Sequence, residues 1–353
     1  MTIHEKYMYR CLQLAKKGDG RVKPNPFVGA VIVHNEKIIG EGYHRKFGGS
    51  HAEVNAVESV KDTALLADST LYVSLEPCSH YGKTPPCAEM IVAKKIPKVV
   101  IAVSDPNPQV SGKGIEFLRA NGIDVSVGIL EKEARELNRI FFVNQIYKRP
   151  YIILKWAQSK DGFIDHDRTR RNTAPAKISN NITQTLVHRL RTEVQGIMIG
   201  TNTALQDNPQ LTARKWFGQN PTRILIDREN KIPRDSSIFD NQSKTIVFTE
   251  KENLSKNEWT EYIQIDFSNN VNLQILKHLY KNKIFSLLVE GGAYLLNSFI
   301  DKNMWDEAFI EISEKKLFLG VKAPEIQGQE LSAKKYLDSS QFHLKNKISR
   351  NFL

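Results

Sequence analysis

Along the first 150 residues the apolar positions switch repeatedly between a helical and an alternating or continuous period. From Tyr7 to Lys17, Met8, Cys11, Leu12 and Ala15 fall at helical spacing and the run stops at Gly18-Asp-Gly20, which predicts a first helix. Val28 to His34 and Lys37 to Gly42 are short apolar runs joined by Asn35-Glu36, the pattern of a hairpin. Helices are then expected over His51 to Lys61, Pro86 to Lys94, Gly114 to Asn121 and, as one long element, Glu131 to Tyr147. Strands are expected over Thr70 to Leu75, Lys98 to Val103 and Asp124 to Val127. Strands that alternate with helices predict a mostly parallel sheet with helices on both faces.

A polar break, Tyr147-Lys-Arg-Pro150, interrupts this pattern before a fresh strand at Tyr151 to Lys155, and divides the chain into domains at 1–147 and 148–353. The alternation then resumes. Helices are expected over Ile182 to Thr192, Leu273 to Lys281 and Ala293 to Asp301. Strands are expected over Gln195 to Ile199, Thr222 to Asp227, Lys244 to Thr249, Phe285 to Glu290 and Glu307 to Ile312. The two halves share no internal repeat. Ala323 to Leu353 is a polar, basic tail of weak periodicity that could complete the sheet.

Composition narrows the class without naming a function. With 353 residues, 41% hydrophobic and 25% charged, the chain has the length and content of two packed domains. No basic leader and no membrane-length apolar run is visible, so a cytoplasmic protein without a membrane partner is expected. Three cysteines cannot build a disulfide framework, which fits a reducing compartment and leaves metal or thiol chemistry as the options of interest. The net charge of +11 suits either nucleic acid or phosphorylated substrates, and the basic residues form no continuous arm.

One constellation carries specific chemistry. His51-Ala-Glu53 opens a helix, and Glu76-Pro-Cys78 with Pro86-Cys87 follows around the start of the next. Zinc deaminases of nucleobases carry His-x-Glu and then Pro-Cys-x-x-Cys, with the histidine and both cysteines on the metal and the glutamate free. Here eight residues rather than two separate the cysteines. Three protein ligands leave a fourth position for water, whose pKa the metal lowers toward neutrality. A carboxylate two residues beyond the histidine can take the water proton and deliver it to ring and leaving amine. His51, Cys78 and Cys87 are therefore the candidate zinc ligands and Glu53 the candidate proton carrier. Cys11 sits on the apolar face of the first helix and reads as structural.

These residues also carry a family resemblance. Pro24-Asn-Pro-Phe-Val-Gly-Ala-Val-Ile-Val33, Gly42-Tyr-His44, His51-Ala-Glu-Val-Asn-Ala56 and Leu75-Glu-Pro-Cys-Ser-His-Tyr-Gly-Lys-Thr-Pro-Pro-Cys87 resemble the deaminase half of the bifunctional riboflavin-biosynthesis deaminase-reductases, whose long insert between the cysteines this chain shares. The resemblance implies an α/β chain: a cytidine-deaminase-like three-layer domain, then a domain similar to dihydrofolate reductase. It further implies deamination of a phosphoribosylated diaminopyrimidine, with Asn25 and His44 as substrate contacts; Asn25 between two prolines is equally a turn residue, and His44 equally a surface histidine.

The second half matches the family's reductase at Leu154-Lys-Trp-Ala-Gln-Ser-Lys-Asp-Gly162, Arg191, Gly200-Thr-Asn-Thr203, Asp207-Asn-Pro-Gln-Leu-Thr-Ala-Arg214 and Val289-Glu-Gly-Gly292. A strand ending in Gly291-Gly292 and opening a helix lets backbone amides approach a cofactor phosphate, although close helix packing alone would also select the glycines. The resemblance implies an NADPH site at Gln158, Thr203, Asp207 and Gly292, and a substrate site at Lys155, Arg191, Leu211, Arg214 and Glu290, the two arginines suiting a phosphate through their forked donors. Hydride transfer from NADPH would convert the ribosyl group into a ribityl chain.

The chain departs from the family at Pro175-Ala-Lys-Ile-Ser179, where Ser-x-Trp-Ile is common. Lys177 stands in place of the tryptophan and could pair with a cofactor phosphate; Pro175 stands in place of a substrate-binding serine. Asp165 to Arg171, with four basic residues, is either a loop closing over a phosphorylated ligand or a solvated one. A homo-oligomer acting on a small molecule, with no nucleic-acid partner, is expected. Two competing readings are a nucleic-acid deaminase with a basic C-terminal binding domain, against which stands the lack of an aromatic-and-glycine RNA-binding motif, and a chain with one active half and one structural half.

Overall fold

The computed structural model describes every residue except 80, 82–84, 108–109, 169–173, 253, 255 and 348–353, with backbone alone at 19–21. The chain divides into two compact units, Met1–Ile146 and Tyr147–Leu353.

In the first unit the elements run α1 (Ile3–Ala15), β1 (Gly29–His34), β2 (Lys37–Tyr43), α2 (Ala52–Glu58), β3 (Thr70–Val73), α3 (Cys87–Ala93), β4 (Lys98–Ile101), α4 (Lys113–Ala120), β5 (Asp124–Val127), α5 (Glu131–Leu137) and α6 (Arg139–Tyr147). Thr2 and Glu5 close a capping box that fixes the start of α1. Asn35 and Glu36 both take positive φ, the backbone of the two-residue turn that joins β1 to β2.

The five strands lie in the order β2-β1-β3-β4-β5. The sheet is more evenly mixed than the mostly parallel one expected: β1 is antiparallel to β2, as the hairpin pattern predicts, and also to β3, and only β3, β4 and β5 run parallel. A two-residue turn can join only antiparallel strands, so the hairpin imposes the first of these pairings. Strand alternation then builds three layers. Ala30, Ile32, Leu71, Val73, Val99 and Ile101 face α2, α3 and α4, whereas Val31, Val33, Tyr72 and Val100 face α1, Ala134 of α5 and Phe142 of α6. Cys11 is fully buried there, its Sγ donating to Tyr72 O at 3.4 Å.

The single helix expected over Glu131 to Tyr147 is two, broken at Asn138. Asn138 leaves helical geometry because its side chain bridges the backbone of Phe27: Oδ1 accepts from Phe27 N at 2.8 Å and Nδ2 donates to Phe27 O at 2.9 Å. This correction is thus a tertiary hydrogen-bond pair overriding a local period.

The second unit contains β6 (Tyr151–Gln158), β7 (Phe163–Asp165), α7 (Asn181–Glu193), β8 (Gly196–Gly200), α8 (Thr201–Asp207), β9 (Thr222–Ile226), β10 (Thr245–Thr249), β11 (Thr260–Gln264), α9 (Val271–Lys281), β12 (Ser286–Val289), α10 (Ala293–Ile300), β13 (Glu307–Ser313), β14 (Val321–Lys322), β15 (Gln329–Tyr336) and β16 (Ser339–Lys345). Nine strands form one sheet in the order β11-β10-β9-β8-β12-β6-β13-β16-β15, and β7 pairs with β14. The seven strands from β11 to β13 are parallel; β16 and β15 add an antiparallel edge. The polar tail does complete the sheet over its described part. Below the strands' starts, fully buried Arg149 donates to both carboxylate oxygens of Asp306 at 2.6 and 2.7 Å, and Ile152 N donates to Asp306 at 2.8 Å.

Candidate active site

Three short peptides meet at the first unit's cavity. His51 precedes the first turn of α2, Cys87 is the first residue of α3, and Cys78 follows β3 on the loop between. A Cβ on Gly42 would lie 2.3 Å from Ala52 O, so α2 reaches its place only because β2 carries no side chain there. The donor atoms of His51, Cys78 and Cys87 lie within 4.8 Å of one another. His51 Nδ1 is 3.5 Å from Cys78 Sγ and 3.3 Å from Cys87 Sγ. Tetrahedral zinc with Zn–S near 2.3 Å and Zn–N near 2.0 Å places such donors roughly 3.5 Å apart, so the set fits that ion.

The electrostatics of the two thiols agree. Cys78 is pulled well below the ordinary thiol range, chiefly by the hydrogen bond from the Cys87 thiol and then by His51 against its own burial; Cys87 is pushed up by that bond and by burial. Cys87 N also donates to Cys78 Sγ at 3.3 Å. Two sulfurs this close share one proton unless a cation replaces it.

Glu53 sits on the first turn of α2, 3% exposed, and burial pushes its carboxyl up to about 7. A cavity of about 270 Å³ joins Glu53, His51 and Cys78 to Asn25 and His44. Asn25 Nδ2 lies 3.1 Å from His44 Nε2, and His44 Nδ1 lies 3.0 Å from Ser50 O. Only a neutral ring, protonated at Nδ1, serves both neighbours, and burial lowers the His44 pKa in the same sense. Asn25 thereby turns its amide nitrogen to His44 and lines the cavity. Asp105 and Asn107 line the same space and were missed in the sequence, where only the polar turn Ser104-Asp-Pro-Asn107 after a parallel strand could have marked them.

In the second unit the expected residues form two groups. Arg191 Nε and Nη2 donate to the two oxygens of Glu290 at 3.0 and 2.7 Å, and its Nη1 donates to Thr212 O at 3.0 Å. Burial would raise the Glu290 pKa, but Arg191 and Lys155 outweigh it and hold it low. Lys155, between Glu290 and Glu311, is lowered by burial against those two charges. Leu211 is buried at positive φ, and Arg214 is exposed yet near enough to bear on His188.

The other group lies at the turn from β12 to α10. Gly292 has φ +59°, and a Cβ there would meet Thr203 Oγ1 at 3.1 Å, which brings these two expected cofactor residues together. Gly291 is needed for packing, because a Cβ would lie 2.7 Å from Ile199. Asp207 ends α8 and is paired with Arg168, which also reaches Asp165 at 2.6 Å. The rest of that basic loop, including Arg171, lies outside the described residues. Gln158 accepts from Trp156 Nε1 at 2.8 Å, and Lys177 and Pro175 are exposed, with Lys315 Nζ donating to Lys177 O at 2.6 Å. Among the described residues, no helix is long and apolar enough to cross a membrane.

A three-layer unit with a His-Cys-Cys metal set, followed by a largely parallel α/β unit with a glycine-opened helix, defines a deaminase joined to a reductase. The cytidine and deoxycytidylate deaminase zinc-binding region matches residues 1–103, and the RibD C-terminal domain matches residues 150–349. The chain is 42% identical over 335 residues to the riboflavin biosynthesis protein RibD of Aquifex aeolicus, covering 94% of this chain and 89% of that one. To the RibD of Escherichia coli it is 35% identical over 333 residues, with 89% and 88% covered. The crystal structure of a diaminohydroxyphosphoribosylaminopyrimidine deaminase/5-amino-6-(5-phosphoribosylamino)uracil reductase from Thermotoga maritima superposes with a TM-score of 0.86 at 36% identity, covering 98% of this chain and 99% of that one. The chain belongs to the RibD family of riboflavin-biosynthesis proteins, enzymes that are both deaminase and reductase and use zinc and NADPH.

Proposed function

We propose that residues 1–147 deaminate a diaminopyrimidine ribosyl phosphate and that residues 148–353 reduce the ribosyl group of the product to a ribityl chain. The observation that carries this reading is the donor triangle of His51, Cys78 and Cys87 with buried Glu53 beside it in one cavity. Those three side chains hold the zinc, which when bound supplies the Lewis acidity that makes a water nucleophilic near neutral pH. Glu53 takes one proton from a water in the cavity and passes it to the ring nitrogen, then takes the second proton from the added hydroxyl and passes it to the amine, which departs as ammonia and leaves a carbonyl. Asn25, its amide oriented by His44, accepts from an amino group of the substrate ring.

In the second unit NADPH supplies the hydride. The backbone at Gly292 and the hydroxyl of Thr203 hold the cofactor together with Gln158, Asp207 and Lys177; Lys177 offers an exposed ammonium to a phosphate. Arg214 and Arg191 take the substrate phosphate, Leu211 shapes its seat, and Lys155 with Glu290 bears on the ribose. The enzyme works in the cytoplasm as a homo-oligomer, a reading supported by exposed Phe318, Leu319 and Leu337 on the second unit, and it binds no nucleic acid.

A coupled assay tests the whole reading: zinc-loaded protein is given the diaminopyrimidine ribosyl phosphate, and ammonia release and NADPH absorbance are followed. Both signals are expected in sequence. Ammonia alone would remove the reductase assignment. Neither signal, with RNA affinity that falls steeply with salt, would favour a nucleic-acid deaminase.

A further inference from the structure

The deaminase cavity contains a carboxylate that the reaction above leaves unused. Glu76 stands two residues before Cys78, is 4% exposed and lines the cavity. It accepts four backbone N–H groups. Oε2 takes those of Asp105 at 3.0 Å and Gly112 at 3.1 Å, and Oε1 takes those of Gly114 at 3.0 Å and Ile115 at 3.4 Å. Its own N–H donates to Val103 O at 3.0 Å.

This arrangement replaces a missing cap. The residue preceding α4 is Gly112, which has no side chain to satisfy the first N–H groups of the helix. Glu76 supplies that acceptor from a distant part of the chain, and the converging donors offset the cost of burying its charge. The same carboxylate also anchors Asp105, at the start of the peptide that brings Asp105 and Asn107 to the cavity; Asn107 N in turn donates to Asp105 Oδ1 at 2.8 Å. α4 lies hard against the turn that leads to Cys78, since a Cβ on Gly114 would fall 2.1 Å from Pro77 O.

We infer that Glu76 is a positioning residue of the deaminase: it locks the cavity wall bearing Asp105 and Asn107 to the peptide bearing Cys78, so that substrate meets wall and metal peptide as one rigid surface. The inference rests on the reading of His51, Cys78, Cys87 and Glu53 as the deaminase centre.

The test compares the zinc-loaded full chain with its Glu76→Gln and Glu76→Ala variants. Glutamine keeps the volume but turns an NH2 group toward one donor pair, so two of the four N–H groups lose their acceptor. The expected result for Glu76→Gln is full zinc content, NADPH oxidation of the deaminated intermediate as in the parent, and a kcat for ammonia release little changed. KM for the diaminopyrimidine rises roughly tenfold or more, as loss of hydrogen bonds to a buried charge would produce in a wall that must be ordered for binding. Glu76→Ala shifts KM further in the same direction, and amide exchange at Asp105 or Gly112 accelerates in both variants. An unchanged KM with only a lower melting midpoint would overturn the inference, because Glu76 would then serve folding alone. Loss of zinc and kcat together at constant KM would overturn it too, placing Glu76 behind the metal rather than the wall. If the parent itself released no ammonia, the underlying reading would be what failed.

Discussion

Replacing Glu53 by glutamine isolates the proton chemistry of the deaminase from its metal. The amide matches the carboxyl in volume, so no cavity opens, and Glu53 is outside the set of atoms that could ligate a metal. Zinc content should therefore remain that of the parent. The size of the kinetic effect follows from burial. At 3% exposure the side chain has almost no solvent around it to stand in as a proton acceptor. General acid–base catalysis contributes about 10²–10⁴-fold, and a carboxylate used both to accept from water and to donate to ring and amine belongs at the upper end. A fall in kcat of about 10³–10⁴, or roughly 4–5.5 kcal/mol of barrier, is expected. Ammonia release under saturating substrate measures it, with zinc determined on the same sample and NADPH oxidation of the deaminated intermediate as a control on the rest of the chain. Turnover within about tenfold of the parent, at full zinc, would remove Glu53 from proton transfer, since that is far less than even the lower end of such catalysis.

Cys87→Ser should lower zinc content at a fixed free-zinc concentration while leaving NADPH oxidation intact; full occupancy would move the ligand elsewhere. Asp306→Ala takes the carboxylate from fully buried Arg149, a loss of about 3–5 kcal/mol for a broken buried pair. The reductase unit should then melt roughly 10 °C lower, and an unchanged midpoint would show the pair to be energetically neutral. His188 is 5% exposed, and burial, then Arg191 and Arg214, lower its pKa from 6.5 to about 4. Between those values the unfolded chain binds a proton that the folded chain refuses, so the stability from the neutral ring is complete above pH 6.5 and is lost as pH falls toward 4. Urea midpoints at pH 7 and pH 4.5 should therefore diverge more for the parent than for His188→Gln, and equal divergence would contradict the assignment.

The zinc centre was legible in the sequence because its information is local and chemically narrow: two of the donors sit at or beside the start of a short helix and the third on the loop between, all within 36 residues, and few other chemistries need that donor set. The reductase candidates rest on family resemblance alone. Arg191 and Glu290 are 99 residues apart, and nothing in their spacing reports that each engages the other. The strands β15 and β16 were faint because the sheet edge leaves most of β15 exposed, which erases the two-residue alternation that marks a half-buried strand.

Asn138 and Glu76 share a further reason. Both look ordinary in their own segments, one within a helical period and the other in a metal motif, yet each is set by partners far along the chain. Asn138 breaks its helix to hold Phe27, 111 residues away, and so fixes the peptide that carries Asn25 into the cavity. Glu76 caps a helix that begins 37 residues later, beyond the wall it anchors. In each case a side chain replaces a backbone partner, so helical and strand periods carry no trace of it. The metal-binding half of the cavity is thus written in short motifs, whereas the walls that would select the substrate depend on long-range hydrogen bonds visible only in the fold.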